Sequence, residues 1–208
     1  MTRVKICGVT TVEDALLAAD LGASAIGLVF WPGSPRFVEM DQARAIVAAL
    51  PPFVSAVGVF VDQPEHAQHV AREVGLTAVQ FHGDELPGSY RASPVRVIKA
   101  VTIRDASARE EAAAVPSGAT VLLDAHDRVK RGGTGRIVDW SIAAMIARER
   151  PVILSGGVTP ENVAEAVRTV APYAIDVSSG VELVFGRKDP AKLRALFAAL
   201  SERTSDNE

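Results

Sequence analysis

The sequence predicts a single (β/α)8 barrel with eight parallel strands, and three observations carry that expectation. Short β-rich apolar runs alternate with alanine-rich helical stretches along the chain, and eight such units can be counted. The strand runs are apolar almost throughout, as expected of parallel strands covered on both faces. The chain has 208 residues, 48% of them hydrophobic, which suits one domain with a sizeable core. That is shorter than the roughly 250 residues usual for the fold, so few insertions are expected, and a doubly wound open sheet is the alternative. The domain is expected to span 1–208, with a polar, frayed tail over 201–208.

Taken in order, the expected strands are Val4–Val9, Ala25–Phe30, Ser55–Val61, Ala78–His82, Val95–Val101, Thr120–Asp124, Pro151–Ser155 and Ala174–Val177. Thr10 and Glu13 stand at capping-box spacing, so the first helix is expected to begin near Thr10 and to run to Leu21, with Gly22 ending it. Asp41 is expected to cap a helix reaching Leu50, and Asp62 with Pro64 to start the next. Thr159 and Pro160 read as the N-cap and first residue of the helix after strand seven. Asp189-Pro190 opens the last helix.

The bulk properties exclude several classes of function. A formal net charge of −3 points away from nucleic-acid and anionic-membrane partners. One cysteine cannot form an internal disulfide, which fits a reducing compartment. The N-terminus lacks a secretory pattern and no apolar run is long enough to span a bilayer, so a cytoplasmic protein is expected. No HxH, HExxH or CxxC spacing occurs and no GxGxxG follows the first strand, so neither a metal nor a dinucleotide is expected. Monomer and homodimer both remain open.

In a barrel the C-terminal strand ends converge on one mouth, where such enzymes act. Cys7, Arg36, Asp62, His82, Asp124 and Asp176 fall at or just beyond strand ends. Cys7 shares a face of strand one with Lys5, and is either a small buried hydrophobe, the commoner fate of a lone cysteine, or a reactive thiol. Asp124 closes an apolar run and suits either a helix cap or an acid tuned by partial burial. Arg36, between Pro35 and Phe37, is an exposed loop arginine or a fork for a carboxylate, with Trp31 and Phe37 either forming an aromatic wall or packing the loop. Gln80 and His82 share a face of strand four, which makes His82 a pocket-lining candidate.

Ser155-Gly156-Gly157 and Ser178-Ser179-Gly180 follow strands seven and eight, where barrels bind phosphate with backbone N–H groups. Gly132-Gly133-Thr134-Gly135 in the long loop after strand six is a further phosphate contact, a lid, or a plain surface loop. Lys99, inside an apolar strand, could form a Schiff base, supply positive potential, or pair with a carboxylate.

Lys5-Ile-Cys-Gly8, Gly27-Leu-Val-Phe30, Ser34-Pro-Arg-Phe37, Val79-Gln-Phe-His-Gly83, Leu122-Leu-Asp124, Gly132-Gly-Thr-Gly135 with Asp139-Trp140, Ser155-Gly-Gly157, and Asp176-Val-Ser-Ser-Gly-Val-Glu182 with Lys188-Asp189 together resemble the phosphoribosylanthranilate isomerase family of tryptophan biosynthesis. The match runs in order from strand one to the last helix. Two departures touch packing and loop shape: Ile137-Val138 stands where a phenylalanine is frequent, and Val184-Phe185-Gly186 replaces a proline-containing approach to Lys188-Asp189.

The resemblance implies an Amadori rearrangement of a phosphoribosylated anthranilate, with Cys7 as general base and Asp124 as general acid. A thiolate near neutral pH needs its pKa lowered, and helix dipoles at the mouth or Lys5 below could do that. The resemblance implies that Arg36 holds the anthranilate carboxylate. It also implies that Gly133, Gly135, Gly156, Gly157, Ser179 and Gly180 serve the phosphate, with His82 and Asp176 lining the substrate site, and that no cofactor is needed. Rival readings are a Schiff-base aldolase built on Lys99, the aminoaldose isomerase of histidine biosynthesis, and a non-catalytic phosphate-ligand binder.

Overall fold

In the computed structural model, which describes residues 2–85, 88, 93–125 and 139–201, eight parallel strands close into a barrel in sequence order. They are β1 Arg3–Cys7, β2 Ala25–Val29, β3 Ser55–Phe60, β4 Ala78–Phe81, β5 Arg96–Ile103, β6 Ala119–Ala125, β7 Val152–Leu154 and β8 Ala174–Val177. Closure comes from β1 pairing on both sides: Cys7 lies opposite Gly27 of β2, and Lys5 opposite Asp176 of β8. The open-sheet alternative is therefore excluded.

The helices are α1 Val12–Asp20, α2 Met40–Ala49, α3 Pro64–Val74, α4 Ala108–Ala114, α5 Trp140–Glu149, α6 Val163–Val170 and α7 Pro190–Ser201. Between β4 and β5, residues 86–87 and 89–92 lie outside the described residues, as does the tail 202–208. The core has two regions. Val4, Ile6, Leu28, Phe60, Phe81, Leu123, Leu154 and Ile175 point outward and are buried against the helices. Val57, Ala78, Ile98, Leu122, Ile153 and Ala174 fill the barrel interior. Because side chains alternate, this sorts the polar strand residues: Gln80 follows Ala78 inward, Asp124 follows Leu122, and Lys99 stays with outward Val97 and Val101.

Four expected starts of helices are displaced. The N-cap of α1 is Thr11, whose hydroxyl accepts from the Asp14 N–H, while Thr10 Oγ1 donates to the Gly186 carbonyl. Asp41 lies inside the first turn of α2, whose cap position is Glu39. Gln63 precedes Pro64 at the start of α3, and Asp62 holds the backbone at φ 54°, its carboxylate accepting from the Asp84 N–H. After β7 the chain makes an extra turn before α6: Asn162 takes the cap position, its Oδ1 accepts from Thr159 N–H and its Nδ2 donates to the Gly157 carbonyl. At Thr10, Asp62 and Thr159 a tertiary partner or a side-chain turn captured the residue that local spacing had assigned to the cap. Also unforeseen is the excursion after β8: a 3₁₀ turn over Ser179–Val181, then an antiparallel pair, β9 Glu182–Val184 and β10 Arg187–Lys188.

Candidate active site

One cavity opens at the C-terminal mouth, and it gathers nearly every strand-end residue singled out above. Cys7, Arg36, His82, Asp124 and Asp176 line it, with Gln80, Trp31 and the turns Ser155-Gly156-Gly157 and Ser178-Ser179-Gly180. Asp62 and Phe37 do not. Gly133 and Gly135 lie outside the described residues.

Cys7 sits at the end of β1, packed against Val29, Val59 and Trp31. Its space depends on Gly27 across the ladder: a Cβ there would stand 2.8 Å from Cys7 Sγ and 3.1 Å from Lys5 Cε. Directly below, Lys5 Nζ donates to Asp176 Oδ1 at 2.9 Å, with both side chains about 95% buried. Burial pushes the Cys7 thiol up, and the Lys5 ammonium opposes that push. Burial alone would lower Lys5, but Asp176 and Cys7 hold it at about 12. The thiol therefore rests on a cation that stays charged through the neutral range.

Asp124 reaches the mouth from the end of β6. Its Oδ2 is 3.2 Å from His82 Nε2, and His82 Nδ1 is 3.0 Å from Gln80 Nε2. So Asp124 is no helix cap. Arg36 is no exposed loop residue either: it is 6% exposed, and it binds a carboxylate of its own chain. Nε and Nη2 donate to the two oxygens of Glu182 at 2.8 and 2.7 Å, and the Phe185 ring lies 5.1 Å from its guanidinium carbon. Burial would raise Glu182, but Arg36 and Lys188 outweigh it and hold the carboxyl below its ordinary range. Nη1 is the guanidinium nitrogen that Glu182 does not engage. Glu182 lies 146 residues from Arg36, so no spacing in the sequence could pair them.

The two glycine-rich turns lie side by side. A Cβ on Gly180 would come within 2.0 Å of the Val158 carbonyl oxygen, so only glycine lets them close together. Gly156 and Gly157 both take left-handed φ, 81° and 70°, a conformation that favours glycine. Lys99 belongs elsewhere. On the outer face of β5 it pairs with Glu85 at 2.9 Å and donates to the Gly83 carbonyl, and it does not line the mouth. Of its three readings, pairing with a carboxylate is the one observed.

Gly27, Glu182 and Lys188 enter from sequence only as members of the motifs that carry the resemblance, whereas Lys5 enters also as a charge beneath the Cys7 thiol. The register that sets Gly27 beside Cys7 and Lys5 beside Asp176 appears only once the barrel closes.

A parallel barrel whose mouth unites a thiol, a carboxyl and a forked cation with two glycine turns is an enzyme barrel. Its family follows from comparison with known proteins. Residues 4–199 match the family described as N-(5'phosphoribosyl)anthranilate (PRA) isomerase. The chain is 45% identical over 208 residues to the N-(5'-phosphoribosyl)anthranilate isomerase of Pelobacter propionicus, covering 100% of this chain and 99% of that one. The crystal structure of the phosphoribosyl anthranilate isomerase from Thermotoga maritima superposes with a TM-score of 0.90 at 42% identity, covering 97% and 100% of the two chains. A second isomerase structure, in complex with reduced 1-(o-carboxyphenylamino)-1-deoxyribulose 5-phosphate, gives 0.87 at 41% identity, again covering 97% and 100%. The chain belongs to the phosphoribosylanthranilate isomerase family, enzymes of tryptophan biosynthesis. Among the described residues no helix is long and apolar enough to cross a membrane.

Proposed function

We propose that the mouth carries out the Amadori rearrangement of N-(5-phosphoribosyl)anthranilate to 1-(2-carboxyphenylamino)-1-deoxyribulose 5-phosphate, with Asp124 as general acid and Cys7 as general base. The observation that carries this reading is that the thiol and the carboxyl, at the ends of β1 and β6, face one cavity.

Asp124 gives its proton to the furanose oxygen as the C1–O bond breaks, and the nitrogen lone pair forms the C1 iminium. The iminium acidifies the C2 hydrogen. The Cys7 thiolate takes it, and the C–H electrons form the C1–C2 double bond while the iminium pair returns to nitrogen. The ketone forms when C1 takes the proton back from the thiol and the C2 hydroxyl yields its own to the Asp124 carboxylate. Both groups end as they began. The N–H groups of Gly156, Gly157, Ser179 and Gly180 hold the phosphate. Nη1 of Arg36 meets the anthranilate carboxylate, with Trp31 beside the ring. His82 and Asp176 shape the site between.

Phosphoribosylanthranilate is fluorescent, so loss of its signal after generation in situ reads turnover directly. Wild type should consume it, while Cys7→Ala and Asp124→Asn each should fall by about 10²- to 10⁴-fold. A wild-type protein that leaves the signal unchanged, while phosphate ligands still raise its melting temperature, would refute the assignment.

A further inference from the structure

We propose that His82, locked in one tautomer by Gln80, is the positioning residue for Asp124. It fixes which carboxyl oxygen meets the substrate and holds the negative charge that appears when the proton leaves. This rests on the reading of Asp124 as the acid.

The geometry assigns the hydrogens. Gln80 Nε2 is an amide nitrogen and only donates, so His82 Nδ1 accepts and the ring hydrogen sits on Nε2. That hydrogen points at Asp124 Oδ2, 3.2 Å away. Both ring nitrogens are thus engaged by the protein, and neither is left for a substrate. Oδ2 is held, so Oδ1 is the oxygen that carries the transferable proton toward the cavity. When Oδ1 gives up that proton, the Nε2–H bond becomes charge-assisted and strengthens. An interaction that strengthens as charge develops lowers the barrier to ring opening rather than merely binding substrate.

Gln80 is fully buried, and its Oε1 has no hydrogen-bond partner among the described residues. A buried orphan acceptor carries a cost that an apolar side chain would avoid. The amide therefore makes sense through its donor end, the end that sets the histidine. The other charged and titratable groups facing this cavity are Cys7 on β1, Arg36 after β2, and Asp176 on β8 with Lys5 beneath it. Among the described residues, His82 is the hydrogen-bond partner of the Asp124 carboxyl.

The test compares wild type, His82→Ala and His82→Gln with phosphoribosylanthranilate generated in situ, with melting temperatures in parallel. The side-chain amide that His82→Gln introduces returns a neutral, non-titrating donor near the Nε2 position. His82→Ala should lose about tenfold to a hundredfold in kcat with KM within about twofold, the size of one hydrogen bond to a charged group. His82→Gln should recover most of the rate. A folded His82→Ala with wild-type kcat overturns the proposal, and so does a His82→Gln no better than a folded His82→Ala. Failure of wild type to turn over the substrate overturns the reading of Asp124 and this inference together, whereas an active wild type with indifferent variants overturns the inference alone.

Discussion

Lys5→Met separates what the buried ion pair contributes to stability from what it contributes to the thiol. Lys5 and Asp176 meet at 2.9 Å with almost no solvent access. Removing the ammonium leaves a buried carboxylate alone, which costs about 3–5 kcal/mol. In a chain of this length each kcal/mol moves the melting temperature by about 2–4 °C, so a fall of roughly 10 °C is expected. Lys5 stands at about 12 in the folded protein against an ordinary 10.5. A raised lysine contributes its stability fully below the ordinary value and loses it as pH rises through the raised one. The deficit of Lys5→Met should therefore be flat from about pH 6 to 9, well below that window. The second effect falls on Cys7, where burial pushes the thiol up and Lys5 is the largest opposing charge. Without it the rising limb of kcat/KM should move to higher pH, about tenfold in rate at neutral pH for each unit moved. Lys5→Met with Asp176→Asn removes both charges, and should recover most of the melting temperature while the limb returns only part of the way, because Asp176 pushes the thiol up by less than Lys5 holds it down. A folded Lys5→Met whose pH–rate profile matches wild type would refute the reasoning, and so would a double variant that recovers stability and profile together.

Glu182→Gln leaves Arg36 and Lys188 with a neutral partner in a buried site, so the melting temperature should drop by several degrees. Because Arg36 is then less firmly aimed, steady-state kinetics should show KM rising more than kcat falls; an unchanged KM would argue against Arg36 as the carboxylate site. Gly27→Ala places a methyl 2.8 Å from Cys7 Sγ. Overpacking should cost about 1–3 kcal/mol, and turnover should fall much further than the melting curve explains.

The fold was legible because its signal repeats. Eight apolar runs and their helical partners specify a parallel sheet even when single boundaries are wrong. The strand ends were legible for the same reason, since parity along β4 and β6 places Gln80, His82 and Asp124 inward once Ala78 and Leu122 are known to be core. What failed was whatever a distant partner decides. Thr10, Asp41, Asp62 and Thr159 all looked like helix starts by local spacing, yet Gly186, Asp84 and Asn162 lie behind three of the four outcomes. The two faces of Arg36 could not be separated from sequence either. A fork suited to a carboxylate is visible in the residue type, but the carboxylate that occupies most of it comes from Glu182, on a hairpin that no periodicity announced.

Lys188 ties that hairpin to the proposed active site. Its side chain is completely buried, and its ammonium donates to the Cys7 carbonyl at 2.6 Å, the Ser178 carbonyl at 3.2 Å and Glu182 Oε1 at 3.0 Å. One group thus ties together the backbone that carries the proposed base, the turn proposed for the phosphate, and the anchor of Arg36. Burial lowers this lysine despite Glu182 beside it. A lysine lowered by folding costs stability wherever it stays charged, and that cost fades only as pH rises toward its ordinary value of 10.5. Taken alone, then, the charge is no gain in stability, although it helps to hold Glu182 low. Three acceptors converging on one tetrahedral donor fix distances instead, and the chemistry proposed here depends on them, since substrate must meet β1, β6 and β8 at once. Asp14 completes the clamp by accepting the Lys188 backbone N–H at 2.9 Å, which fastens β10 to α1.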